Sequence, residues 1–296
     1  MDISADGENV VLGGTGYNFY YFAGCAARAN TSQYWTWADY LSVSDYYTVH
    51  ISPDGQYVAT GGTWYNGTGF VAFYANASST PYPTSPNWIA LTQLNNSVTD
   101  LALSDGGFAV VAVAPLGGGL AYWANATTLT NDPQATWTAN ESFSVVDMSG
   151  NGQNVTAGGL LTTGLYFWGN ATTRHDLQLE DWGGIASENV LDVAISHDGN
   201  VIVASAVPIE SLNYSAYFYS SAGELLGQFT LLQRSSMVSI SDDGNLAAVA
   251  GPGFDSLYVF IPEFTPIIFL MLVLCLTALA VAFSSSRPKL RKANFK

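Results

Sequence analysis

Six copies of one short turn recur along this chain at intervals of 45 to 52 residues: Ser4-Ala-Asp-Gly7, Ser52-Pro-Asp-Gly55, Ser104-Asp-Gly-Gly107, Ser149-Gly-Asn-Gly152, Ser196-His-Asp-Gly199 and Ser241-Asp-Asp-Gly244. Each sits between two β-like runs, as in Val49-His-Ile-Ser52 and Tyr57-Val-Ala-Thr-Gly-Gly62. Asp or Asn followed by Gly suits a tight hairpin, because these residues tolerate positive φ and the side chain can bond the turn's own backbone. An aromatic strand follows each turn from the second repeat on: Phe70–Tyr74, Leu120–Trp123, Leu165–Trp168, Ala216–Tyr219 and Leu257–Phe260. A fourth short strand is expected near Trp35, Trp88, Trp137, Trp182 or Phe229. Four short strands per unit at this period predict an all-β fold, a β-propeller, over residues 1–262. A single blade cannot bury both of its faces, so its neighbours must cover them.

The chain opens inside a unit, at Met1-Asp-Ile-Ser4, and its sixth unit has no fourth strand after Phe260. Six blades are countable. The expectation is that an export signal and a closing strand precede Met1, which allows a seventh blade; the alternative is an open ring completed by a partner.

The second constraint is at the other end. Phe264 to Phe283 is an uncharged apolar run of 20 residues, which as a helix at ~1.5 Å per residue reaches ~30 Å, about one hydrocarbon core. Arg287, Lys289, Arg291, Lys292 and Lys296 follow it, whereas the preceding residues hold only Arg28, Arg174 and Arg234. This asymmetry predicts a transmembrane helix over 263–284, a basic cytoplasmic tail over 285–296, and the propeller outside the cell membrane. All 23 acidic residues precede Phe264; three arginines against 23 acids leave the outer part at −20. Such a surface repels nucleic acid and anionic head groups, so neither is expected as a partner.

Low charge with abundant Asn, Ser and Thr suggests a glycosylated surface. Asn30, Asn66, Asn76, Asn95, Asn125, Asn140, Asn154, Asn170 and Asn213 each head an N-x-[ST] triplet without proline, the acceptor pattern for N-glycans. Cys25 falls outside the membrane and Cys275 inside the apolar run, so no intrachain disulfide is expected.

The run Val193-Ala-Ile-Ser-His-Asp-Gly-Asn-Val-Ile-Val-Ala-Ser205, followed by Tyr217-Phe-Tyr-Ser-Ser-Ala-Gly-Glu-Leu-Leu226, resembles the WD40-like and PQQ-like propeller repeats of archaeal surface proteins. Pro262-Glu-Phe264 resembles the Pro-Glu-Phe C-terminal anchor of archaeal exported proteins. The resemblance implies a propeller held at the cell surface, and says little of activity. The Trp-Asp dipeptide of WD40 blades is replaced by Tyr74-Ala-Asn76, Trp123-Ala-Asn125 and Trp168-Gly-Asn170, and the Trp-docking motif of PQQ-dependent dehydrogenases is missing.

Enzymatic signals are thin. Asp6, Asp54, Asp198 and Asp243 occupy turns and read as caps. His175-Asp176 and His197-Asp198 are sequence neighbours with no nucleophile motif beside them. Three arginines alone do not make a sialidase clamp, and neither a calcium loop nor any cofactor motif is present. No catalytic, metal or cofactor residue is therefore assigned. Tyr46, Tyr47, Trp64, Tyr65 and Tyr82 read as loop aromatics able to meet sugars or proteins. The expected function is an interaction or scaffold module, a surface-layer component or membrane-complex subunit, with surface proteins and glycans as partners. A carbohydrate-active hydrolase or lyase is the alternative, and it requires convergent carboxylates with a perturbed pKa in the central funnel.

Overall fold

The computed structural model describes residues 1–14, 18–25, 34–38, 43–79, 85–91, 94–160, 164–177, 180–185, 188–209, 213–231, 237–251 and 257–260. These residues form six antiparallel sheets in chain order. The first blade is Asp2–Ile3, Asn9–Leu12, Asn18–Ala23 and Tyr34–Ala38; the second Val43–Ile51, Tyr57–Trp64, Gly69–Ala75 and Trp88–Ala90. Asp100–Leu103, Ala109–Ala114, Gly119–Ala124 and Trp137–Ala139 make the third, widened by Asp176–Leu177, which pairs parallel with its last strand. The fourth is Val145–Met148, Val155–Gly159, Gly164–Trp168 and Trp182–Gly184, and the fifth Glu188–Ile195, Val201–Pro208, Ser215–Ser220 and Leu225–Thr230. Three strands, Met237–Ile240, Ala247–Ala250 and Tyr258–Phe260, form the sixth. The fourth strands of blades one to four stand where the repeat placed them, at Trp35, Trp88, Trp137 and Trp182, whereas that of the fifth blade begins at Leu225, four residues before Phe229.

The six turns share one geometry. Gly7, Gly55, Gly107, Gly152, Gly199 and Gly244 have φ between +66 and +76, and each donates its N–H to the carbonyl of the serine three residues before. In five of the six, the serine hydroxyl donates to the Asp or Asn two positions on, at 2.6–2.9 Å. That side chain in turn accepts the N–H of the residue after the glycine. The hydroxyl donor holds the Asp6, Asp198 and Asp243 carboxyls below their ordinary range. The turn aspartates are caps, as their place in the repeat indicated.

Five apolar cores fill the seams between consecutive blades, one seam each. A tryptophan at the start of an outer strand ties each of three seams. The indole N–H of Trp88, Trp137 and Trp182 donates across the seam to the carbonyl of Ala126, Ala171 and Ser221, at 2.8, 2.8 and 3.0 Å. The acceptors Ala126 and Ala171 lie in 3₁₀ turns, and both alanines are buried.

Among the described residues no helix is long and apolar enough to cross a membrane. The apolar run, the helix expected over 263–284 and the tail over 285–296 lie outside the described residues.

Candidate functional site

The first strands of blades two to six bound a cavity of about 290 Å3 on the axis, lined by His50, Asp100, Asp147, Asp192, Ser239 and the apolar residues beside them. Its carboxylates belong to a repeated device. Each accepts its own next backbone N–H with one oxygen: Asp2 from Ile3, Asp100 from Leu101, Asp147 from Met148 and Asp192 from Val193. With the other oxygen it accepts an N–H of the next blade's first strand: Ile51, Val146, Ile195 and Val238, at 2.7–2.9 Å. An innermost strand has an unpaired edge facing the axis, and these carboxylates supply the acceptors that edge lacks.

The clamp escaped the sequence reading although its signal is present. Asp2 and Asp147 stand two residues before the turn serine, Asp100 and Asp192 four before it. Period-two alternation puts both positions on one face of the strand. The second blade has Thr48 and His50 at these places and no clamp.

Burial, first of all, pushes the Asp100 and Asp147 carboxyls up to about 7 and Asp192 to about 6; the N–H donors oppose this, and the neighbouring carboxylates reinforce it for Asp100 and Asp147. Burial likewise lowers the His50 imidazole, against the pull of Asp2, 3.6 Å away. At these three carboxyls the folded chain binds more protons than the unfolded one between about pH 4 and pH 7, so their contribution to stability falls as pH rises through that window, while the lowered His50 acts in the opposite sense. The cost is fully present above pH 7 and relieved below it. A tenfold change in the proton affinity of one carboxyl is worth about 1.4 kcal/mol, so a tenfold change at each of the three gives ~4 kcal/mol. Thermal melts of the purified chain should show a higher midpoint at pH 5 than at pH 8. An equal or lower midpoint at pH 5 refutes this account of the channel.

Other sequence candidates scatter. His197 does not act with Asp198; its Nε2 stands 2.5 Å from Asp105 Oδ2, two blades back, across the bare Gly150. Arg174 is occupied by the Gly169 carbonyl and by Asp181 in an outer loop, while Arg28 and Arg234 lie outside the described residues. Tyr46 is a correction: it is a strand residue buried against Phe19 and Phe70, because its strand runs to nine residues. Tyr47 and Tyr65 are exposed. Trp64 lines a cleft of about 360 Å3 with Asn66, Thr68, Leu91, Leu94 and Asn95. Tyr82 lies outside the described residues, and among those described no His, Cys, Asp and Glu side chains gather as a metal site.

Of the nine sequon asparagines, Asn66, Asn76, Asn95, Asn125, Asn140, Asn170 and Asn213 are exposed, and Asn30 lies outside the described residues. Asn76, Asn125 and Asn170 adopt φ of 57, 56 and 53, a conformation asparagine tolerates. Each starts the turn whose next residue is a buried alanine. Asn154 differs. It is half-buried, and its amide nitrogen donates to the Gly199 carbonyl of the next blade at 3.2 Å, the nitrogen a glycan would need.

No family model matches the chain, and no curated protein does. Solved structures match: Chaetomium thermophilum Sqt1 bound to the N-terminus of the ribosomal protein L10, at 15% identity and TM-score 0.64 over 87% of this chain and 69% of that one. Sqt1 of the same organism on its own gives 15% and 0.63 over 87% and 67%. At this identity the likeness is one of fold: the chain has the architecture of a β-propeller.

Proposed function

We propose that the chain is a binding platform, a membrane-anchored propeller displayed outside the cell that docks other proteins. The observation that carries this is the state of the channel carboxylates. Their two oxygens each accept a strand N–H, so the cluster that meets the pKa requirement of a hydrolase is spent on holding blades together. A general acid must instead aim its proton at a ligand. The structurally similar Sqt1 holds a protein segment, which supports the protein-docking reading. The apolar run and basic tail support the anchor, and Asn66, Asn76, Asn95, Asn125, Asn140, Asn170 and Asn213 are the glycan acceptors in this reading; Asn154 is not. Surface-layer or membrane-complex proteins are the partners it envisages.

One experiment addresses the whole proposal. The chain is captured from its own cells in mild detergent, and co-purifying proteins and intact glycopeptides are identified by mass spectrometry. Stoichiometric partners with glycans on the exposed set and none on Asn154 are expected. A chain recovered alone from the soluble fraction, unmodified at all seven exposed positions, overturns it.

A further inference from the structure

We infer that the first sugar of an N-glycan on Asn66 is seated against the Trp64 indole in the cleft of the second blade, as a part of the folded hairpin. The inference rests on the reading of Asn66 as a glycan acceptor, and it gives that acceptor a seat that the others lack.

The turn sets the geometry. Trp64-Tyr-Asn-Gly-Thr68 joins the second and third strands of the second blade. The Trp64 N–H donates to the Thr68 carbonyl at 2.7 Å, and the Gly67 N–H to the Trp64 carbonyl at 2.8 Å. With Gly67 at φ +87, this is a three-residue hairpin loop closed by a left-handed glycine. It brings Trp64, Asn66 and Thr68 to one cleft of about 360 Å3. Asn66 Oδ1 accepts the Thr68 N–H at 3.0 Å and the Thr68 hydroxyl at 2.7 Å. Those two bonds fix the carboxamide and leave its nitrogen, the atom that carries a glycan, without a partner among the described residues. Attachment is N-glycosyl transfer: that nitrogen bonds to C1 of a lipid-phosphate-linked sugar, the C1–O bond to phosphate breaks, and one amide proton leaves with the phosphate.

The ring is held and partly open. Trp64 is half-buried, set edge-on to Phe70 at 6.2 Å and tilted against Tyr65 at 6.2 Å. Its N–H donates to no carbonyl among the described residues, whereas those of Trp88, Trp123, Trp137 and Trp182 do. Three other acceptors share the spacing. Tyr74, Trp123 and Trp168 stand two residues before Asn76, Asn125 and Asn170, but these rings are 0–1% exposed in the seams, beyond the reach of a sugar. Of the four, Trp64 alone offers ring surface.

The cleft's chemistry selects a saccharide. Its described lining is one indole, Leu91 and Leu94, the carboxamides of Asn66 and Asn95 and the Thr68 hydroxyl, without a charged side chain. An ion finds no counter-charge there, and a wholly apolar ligand would strip water from the amides without replacing it. A pyranose has C–H bonds to set on the negative face of an indole and hydroxyls for the amides. One stacked sugar binds weakly when free; tethered two residues from the ring, it is held at high effective concentration.

The test reads the indole directly. The full chain and its Asn66→Gln and Asn95→Gln variants are purified from the cells that make it. Glycopeptide mass spectrometry establishes the occupancy of Asn66. Hydroxyl-radical footprinting compares oxidation of Trp64 with that of Phe108, 61% exposed on blade three. A seated ligand hides most of the surface it covers, so Trp64 should oxidise roughly threefold more slowly in the full chain and in Asn95→Gln than in Asn66→Gln. Phe108 should be unchanged throughout. The same three proteins from a host without N-glycosylation should share one Trp64 rate, which separates the sugar from the bonds Asn66 makes to Thr68. An occupied Asn66 with equal Trp64 rates in the full chain and in Asn66→Gln overturns the inference and leaves the acceptor reading standing; an unmodified Asn66 overturns both. Slowing that vanishes in Asn95→Gln, or a difference between the full chain and Asn66→Gln that persists without glycosylation, also overturns it.

Discussion

Trp137→Ala should destabilise the protein by ~3–5 kcal/mol, the range for emptying a buried tryptophan site. Its indole is 1% exposed in the seam between the third and fourth blades. It stacks on Tyr122 at 5.1 Å, tilts against Trp168 at 5.8 Å and donates to the Ala171 carbonyl at 2.8 Å. Truncation opens a cavity among rigid rings and leaves that carbonyl without its donor. Trp137→Phe keeps most of the volume and removes the donor, so it should cost less than half as much. Denaturant unfolding of both variants, followed by fluorescence, provides the comparison. Equal losses would mean that the hydrogen bond, and not the packing, carries the effect.

Gly107→Ala should cost ~2–4 kcal/mol, from two causes that a control can separate. With φ at +66 the backbone is in the left-handed region, where an alanine is strained. In addition the new β-carbon would stand 2.4–2.8 Å from the base of the Tyr57 ring, which is held by stacking on Phe73 at 6.0 Å; forced overpacking costs ~1–3 kcal/mol. Gly67→Ala, at φ +87 with nothing within 4 Å, carries the backbone cost alone. It should lose no more than ~1–2 kcal/mol. If the two variants melt together, the contact of Tyr57 with Gly107 is not a determinant of the seam. Tyr57→Ala added to Gly107→Ala should recover part of the loss, and the non-additivity measures the contact.

What the sequence reveals about this fold divides along the range of the interactions. Ser4 to Gly7 and its five equivalents are closed by bonds within six residues, so the turns, their glycines and the capping role of Asp6 were readable one by one, and with them the number of sheets. The clamps were not, because Asp100 meets Val146 and Asp147 meets Ile195 across 46 and 48 residues. Alternation between two equivalent strand positions hides the repeat further. Asn154 shows how a local pattern misleads: Asn-Val-Thr has the form of an acceptor site, while the tertiary fold uses its amide against Gly199. Tyr46 misled for the opposite reason, since Ser-Asp-Tyr-Tyr reads as a polar break and is the middle of a long inner strand with two bulges.

The seam between the second and third blades is built unlike its neighbours. Pro53 has no N–H to pass to the next turn, as Ala5, Asp105, Gly150 and His197 do, and His50 and Thr48 stand where a clamp would be. Its inner part is closed mainly by apolar side chains, with Val98 donating its N–H to the Gly62 carbonyl and Thr63 its hydroxyl to Ser97, and its indole bond, Trp88 to Ala126, lies out at the rim. Because hydrophobic attraction fades on cooling while carboxylate-to-amide bonds do not share that dependence, this junction should be the first to weaken in the cold, which faster amide exchange at Leu101 than at Val146 or Ile195 on cooling would check.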